Sequence, residues 1–223
     1  NFEDLVINND KDVFVKFSES LPVQKRVTKR PVVIAMVGLV GSGKSTVAHS
    51  IAGEIGATVI EGDAVRTALR ERGAGFGKVR KIGEDSMVKT ILAGGNVVMD
   101  SDHISASKRA SLFAKAEALG AEVIYVRTFN DADVSVGRIM SGQKSKFFEE
   151  AKSPWTGPEK GAVVKERERG RRLPHHYKWT SRGGGQWILR ELHFKALETI
   201  DTSDSESMKR AVETCVATIK KTF

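Results

Sequence analysis

Apolar and polar positions follow two alternating patterns along the chain. Val32–Val37 is an uninterrupted apolar run, as expected of a strand buried on both faces. A glycine-rich turn follows, and Lys44–Ile55 returns to helical spacing. Short apolar runs recur at Thr58–Ile60, Asn96–Asp100, Glu122–Arg127 and Leu197–Asp201. Between and after them, Ala64–Arg72, Glu84–Leu92, Ser107–Leu119, Asp131–Met140 and Ser205–Lys220 read as helices. Gly120 stands where a helix C′ glycine is expected. Strands alternating with helices predict an α/β fold, a five-stranded and mostly parallel sheet with helices on both faces. Upstream, Val13–Phe17 alternates as a short strand would, and Gln24–Arg30 is a basic connector. Residues 1–30 are therefore expected to form an extension or linker, and 31–223 one domain.

Composition narrows the class without naming a function. The chain has 223 residues, 40% hydrophobic and 29% charged, which suits one globular domain with a substantial core. No apolar run approaches the ~18 residues of a membrane span, so no membrane role is expected. Cys215 is the only cysteine, which excludes an intrachain disulfide and a cysteine-rich zinc site. A cytoplasmic, reducing location is the expectation, with Cys215 a small buried hydrophobe. The chain opens on Asn1, which leaves open a removed targeting segment or a larger parent chain.

Charge changes the picture more. Residues 138–182 hold twelve Lys and Arg against five Glu, so this stretch carries +7 of the net +8. Such a segment attracts phosphates, nucleotides or nucleic acid. It also holds Trp155 and Trp179, and Trp187 lies just beyond, for which packing is the expected role and base stacking the alternative.

The strongest chemical signal is Gly38-Leu39-Val40-Gly41-Ser42-Gly43-Lys44-Ser45. It fits G-x-x-x-x-G-K-[ST] at every position, between a buried strand and a helix, which defines a P-loop NTPase fold. Glycines let successive backbone N–H groups curl around phosphate oxygens, and the helix N-terminus adds partial positive charge. Gly38, Gly41, Ser42, Gly43, Lys44, Ser45 and Thr46 are the candidate nucleotide-binding residues. Lys44 is expected to reach the β- and γ-phosphates of ATP or another NTP, and Ser45 to offer a hydroxyl to Mg²⁺. Asp100, closing the third strand, is a second candidate Mg²⁺ ligand, with Asp102 beside it; helix or turn capping is the alternative for this pair.

In an open α/β sheet, ligands bind beyond the carboxyl ends of the strands. Asp63, just after the second strand, is the candidate carboxylate to accept a hydroxyl proton, with helix capping as its alternative. Arg66, one turn on, is a candidate for an anionic acceptor.

These residues resemble a family. Gly38–Thr46, Glu61–Leu69, Gly75–Glu84 and His103–Ser105 are similar to the adenylylsulfate kinases and the wider group of small P-loop kinases, which includes polynucleotide and gluconate-type kinases. The family's D-G-D-N-x-R stands here as Glu61-Gly62-Asp63-Ala64-Val65-Arg66, and its R-R-x-G-E as Arg80-Lys81-Ile82-Gly83-Glu84. The F-I-S-P segment stands as His103-Ile104-Ser105-Ala106. The resemblance implies a catalytic Asp63, acceptor binding by Arg66 and Arg80, and Phe76 stacking nearby. Ser105 is a further acceptor-side candidate or a helix cap.

A kinase must exclude water from the transferring group, so the basic segment reads as a lid, with residues 138–196 an insertion. Arg138 is a candidate catalytic cation. Arg167, Arg169, Arg171 and Arg172 are candidate lid cations. The leading reading is an ATP-dependent kinase acting on a hydroxyl of an anionic acceptor, adenylylsulfate-like or a related metabolite. The alternatives are a polynucleotide 5′-hydroxyl kinase, which the basic segment favours, and a non-catalytic nucleotide-binding module of a larger protein. Oligomeric state is not legible in the sequence.

Overall fold

The structure is a computed structural model that describes residues 2–141 and 161–223. Five parallel strands form the central sheet: β1 (Val32–Val37), β2 (Ala57–Glu61), β3 (Asn96–Asp100), β4 (Glu122–Phe129) and, late in the chain, β7 (Glu198–Asp201), in the order β2-β3-β1-β4-β7. Every pairing in this sheet is parallel, with Val33 opposite Val97 on one side and Val123 on the other. β1 is therefore central, and all six of its residues are buried. A strand buried on both faces must be apolar throughout, which is what the Val32–Val37 run encodes.

The period of two divides β1 between two cores. Val32, Ile34 and Met36 pack with α2 (Lys44–Ile55) and the last helix, α8 (Ser205–Thr222), through Ile51, Ile55, Val216 and Ile219. Val33 and Ala35 face α3 (Gly62–Glu71), α4 (Val79–Leu92) and α5 (Ala106–Glu117), through Leu69, Met87 and Leu112. Cys215 lies in the first core, where burial pushes its thiol up to about 12 and leaves it inert at neutral pH.

Residues 13–17 are not a strand. α1 (Phe2–Ser20) is a helix whose Val13 and Phe17, four residues apart, are buried in the second core. The connector after it is fastened by backbone bonds, among them Arg26 N–H to Gly94 O and Arg30 N–H to Phe223 O.

The basic segment begins within α6 (Ala132–Ser141), and α7 (Gly161–His176) leads into an antiparallel hairpin of β5 (Tyr177–Thr180) and β6 (Gln186–Leu189). Trp179 and Trp187 pair edge to face on this hairpin and remain exposed, so neither serves the core. Lys144, Lys146, Lys152, Trp155 and Lys160 lie outside the described residues. Among the described residues, no helix is long and apolar enough to cross a membrane.

Candidate active site

The loop after β1 is shaped by close backbone approach. A Cβ at Gly38 would lie 2.5 Å from Ser42 Oγ and 2.6 Å from Thr128 Oγ1, so only glycine fits there. Gly43 caps α2 at φ 82°, a left-handed conformation natural to glycine. The Ser42 hydroxyl turns inward to Thr128 Oγ1 at 2.7 Å. Thr202 donates its hydroxyl to Ser42 O (2.9 Å), and Asn130 Nδ2 donates to Gly41 O (3.1 Å). The ends of β4 and β7 thus hold the loop. Neither Thr202 nor Asn130 carries a motif that sequence could expose.

A cleft of about 710 Å³ opens beside this loop. Gly41, Gly43, Lys44, Ser45, Thr46, Asp63, Arg66, Phe76, Asp100, Arg138, Arg171 and Arg172 all line it. So do Asp102, which the sequence set beside Asp100, and Glu61, Ser101, Lys108, Lys165 and Glu168, to which sequence reasoning gave no role of their own. This wall is the carboxyl end of β1, β2 and β3, as the sheet rule requires.

Lys44 donates from Nζ to the carbonyls of Gly38 (3.0 Å) and Leu39 (2.9 Å). Burial pushes its pKa down, against the pull of Asp102 and Asp100. It is thus a desolvated ammonium bonded to neutral oxygens, ready for an anion. The Ser45 hydroxyl hydrogen-bonds the Asp100 carboxylate, whose pKa burial raises despite Lys44 nearby. Hydroxyl and carboxylate oxygens are the hard donors that Mg²⁺ takes, so this pair fits the ion. Among the described residues no three His, Cys, Asp or Glu group together, so such an ion would complete its shell with water and phosphate oxygens.

Asp63 lies in the first turn of α3 and makes no capping bond; the N-cap residue is Glu61. Its Oδ1 accepts from Arg66 Nη1 (3.0 Å), and its Oδ2 accepts from Lys165 Nζ of α7. Burial alone would raise its pKa, but Lys165 and Arg66 outweigh it and hold the carboxyl below its ordinary value.

Asp102 ties α7 to the loop. Its Oδ1 accepts from the Gly38 (3.3 Å) and Ile104 (3.2 Å) amides. Its Oδ2 accepts from Arg172 Nη1 (3.2 Å) and pairs with His176 Nε2 (3.0 Å). Desolvation works against its charge, but His176, Lys44 and Arg172 hold its pKa far below the carboxylate range. Next to it, His103 is buried, and burial drops its pKa to about 3. Its Nδ1 lies 2.7 Å from Ser101 O and 3.1 Å from Met36 O, so it acts as a neutral donor that fastens the turn to β1.

Asp102 supports a prediction. Its pKa is depressed on folding, so its contribution is complete above the ordinary carboxylate value and lost as pH falls through and below it. Asp102→Asn is expected to cost roughly 2 kcal/mol at neutral pH, the scale of hydrogen bonds to charged groups. The gap should begin to narrow only as pH falls below about 4, the ordinary carboxylate value, and close towards the depressed value beneath it. Denaturant titrations at neutral pH and at a series of values below about pH 4 check it. An unchanged gap would show that Asp102 carries no charge-dependent latch.

Several expected residues stand elsewhere. Arg80 is exposed in the first turn of α4 and does not line the cleft. Ser105 is exposed at the N-cap of α5, its hydroxyl 3.0 Å from that of Ser107, also outside the cleft. Arg167 and Arg169 are off the lining as well; Arg169 pairs with Glu166 and reaches Ala132 O of α6. Helical spacing explains this: Lys165, Glu168 and Arg172 share the cleft face, while Glu166 and Arg169 face α6. Arg138 does line the cleft, bonded through Nη1 to Thr202 Oγ1 (2.8 Å) and through Nη2 to Thr202 O (2.5 Å).

Comparison with known proteins agrees with this architecture. The fold is similar to that of a gluconokinase from Sinorhizobium meliloti 1021, with 17% identity over 86% of this chain and 96% of that one, at a TM-score of 0.50. It is similar to APE1195, with 19% identity over 87% and 97%, at a TM-score of 0.52. The Mycobacterium tuberculosis APS kinase CysC aligns at 18% identity over 83% and 95%, with a TM-score of 0.46. At these identities the likeness concerns the fold, which is that of the small P-loop kinases. No curated protein matches the sequence. The family model described as an AAA domain matches residues 33–148, more than half of the chain, from within β1 to beyond α6, and the protein belongs to that family.

Proposed function

We propose that the protein is a kinase that transfers the γ-phosphate of ATP to a hydroxyl of a small anionic acceptor. One observation carries this reading. Lys44 and the Ser45–Asp100 pair face Asp63 within a single cleft, with the cationic face of α7 alongside. A phosphate-binding loop alone would suit a switch or a motor as well. The carboxylate beside it is what a hydroxyl acceptor needs.

The chain's own groups account for the steps. The loop amides and the N-terminus of α2 hold the nucleotide phosphates. Ser45 and Asp100 would hold Mg²⁺, which neutralises charge on the phosphate oxygens when bound. Asp63 orients the acceptor hydroxyl and takes its proton as the O–Pγ bond forms and the bond to the β-phosphate oxygen breaks, releasing ADP. Lys165 pairs with Asp63. As the hydroxyl arrives, Lys165 is released to the γ-phosphate, where charge accumulates. Arg138 supplies a further cation at the loop end of the cleft.

An acceptor panel with γ-labelled ATP tests the proposal, using matched anionic and neutral hydroxyl compounds and a 5′-hydroxyl oligonucleotide. Label is expected on the anionic small molecules. Label on the oligonucleotide alone would replace the small acceptor with a polynucleotide end, and label on neutral compounds alone would refute the anionic requirement.

A further inference from the structure

Most charged groups of the cleft are matched. Asp63 is paired with Arg66 and Lys165, and Asp102 with Arg172 and His176. Two lysine ammonium groups break this pattern. Lys44 bonds only to carbonyls, and so far as hydrogen bonds go Lys108 of α5 is its counterpart in the cleft. Lys108 Nζ donates to Ser101 Oγ (2.6 Å) and to the Asp102 backbone carbonyl (2.9 Å), both neutral acceptors. An ammonium has three N–H donors. The third has no partner among the described residues.

A desolvated cation without a bonded counter-ion is unfavourable unless an anion completes it. Lys44 meets this condition because it awaits a phosphate. Lys108 meets it too, but it stands on α5 rather than in the loop, and the nucleotide phosphates already have the loop. The neighbouring cations strengthen the case. Arg66 engages Asp63 through Nη1, and Arg172 engages Asp102 through Nη1 and Glu168 through Nε (3.5 Å), so each retains further N–H donors. Both lie close enough to Lys108 to depress its pKa electrostatically.

We propose that Lys108, with Arg66 and Arg172, forms a second anion subsite of the cleft, which takes a tetrahedral oxyanion carried by the acceptor, a phosphate or sulfate ester. Naming that oxyanion as part of the acceptor rests on the kinase reading; the subsite itself does not. It adds a residue with no counterpart in the motif-based expectations, and it makes the acceptor an ester-bearing alcohol rather than a simple carboxylate.

The charge state of Lys108 gives the subsite a pH signature. Burial lowers its pKa to about 8; Asp102 opposes this, while Arg172, Arg66 and Lys44 add to it. The ammonium is therefore lost as pH rises through that value, and anion affinity falls with it.

The experiment loads the wild-type protein with AMPPNP and Mg²⁺, which fills the loop, and titrates inorganic phosphate and inorganic sulfate by calorimetry. Saturable binding of one oxyanion per chain is expected, and the tighter of the two identifies the ester. Wild-type affinity for that ion should fall about tenfold between pH 7.5 and 9.5, as a lysine with this pKa deprotonates. Lys108→Arg, which stays charged, should bind with a flat profile over the same range. Lys108→Gln should bind at least tenfold more weakly at pH 7.5 while still taking up AMPPNP, which shows that it is folded. No saturable uptake by the loaded wild type, or uptake unchanged in Lys108→Gln, overturns the subsite. Oxyanion binding without phosphoryl transfer would retain the subsite and remove the kinase; transfer without oxyanion binding would do the reverse.

Discussion

Replacing Lys44 by alanine is expected to remove phosphoryl transfer and leave the fold standing. The side chain packs against no hydrophobic core; its two bonds go to the Gly38 and Leu39 carbonyls of its own loop. Both carbonyls belong to buried residues, so their loss of a partner costs roughly 1–3 kcal/mol, too little to unfold the chain. The functional loss is large because the ammonium is desolvated before the nucleotide arrives. A preorganised cation aimed at developing phosphoryl charge is worth roughly 10²–10³ in rate, and a residue that also anchors the β- and γ-phosphates adds its binding share. Lys44→Ala should therefore show at least a 10³-fold drop in kcat/KM, with a thermal midpoint within a few degrees of wild type. Near-normal turnover would contradict the assignment of this loop as the nucleotide site.

Asp63→Asn is expected to lower kcat by about 10²-fold or more, the usual scale of general-base effects. ATP binding should change little, because Lys44 and the loop amides are untouched. The structure sharpens this test. Asp63 makes no capping bond, so the isosteric amide should not disturb α3. It does remove the carboxylate that Lys165 and Arg66 share. A variant that keeps full kcat would mean that the acceptor hydroxyl is deprotonated elsewhere, with Asp100 and Asp102 the next candidates among the other carboxylates of the cleft.

The parts of the molecule differ in how far the sequence reveals them. β1 and the loop after it are legible because their constraints are local: an apolar run for a strand buried on both faces, glycines where a Cβ collides or φ is positive. β3 and α2 are readable to the residue for the same reason. α1 is misread because Val13, Val15 and Phe17 alternate as a strand would, while Val13 and Phe17 alone also fit the helical period; packing on α3 and α4 selects the helix, which buries these two and leaves Val15 exposed. α7 escapes periodicity altogether. Its described side chains, from Lys165 on, show no broad apolar stripe, and ion pairs to Asp63 and Asp102 fasten it. Lys165 and Asp63 are 102 residues apart, so no local pattern joins them. Lys108 is hidden for a related reason: a lysine three residues into a helix looks like a solvated one until the turn before it supplies its acceptors. The resemblance drew Arg80 and Ser105 to the site, but their exposed positions on α4 and α5 point them away from it.

The fate of the γ-phosphate tests the account most directly. Phosphorus NMR can follow Mg·ATP mixed with the protein and a panel of anionic hydroxyl acceptors. The account predicts a new phosphate-monoester resonance, coupled to the proton on the carbon that bears the oxygen. That resonance should be missing with Lys44→Ala and slowed in proportion with Asp63→Asn. ATP that stays intact in the bound state, or that yields only inorganic phosphate whatever acceptor is present, would contradict it.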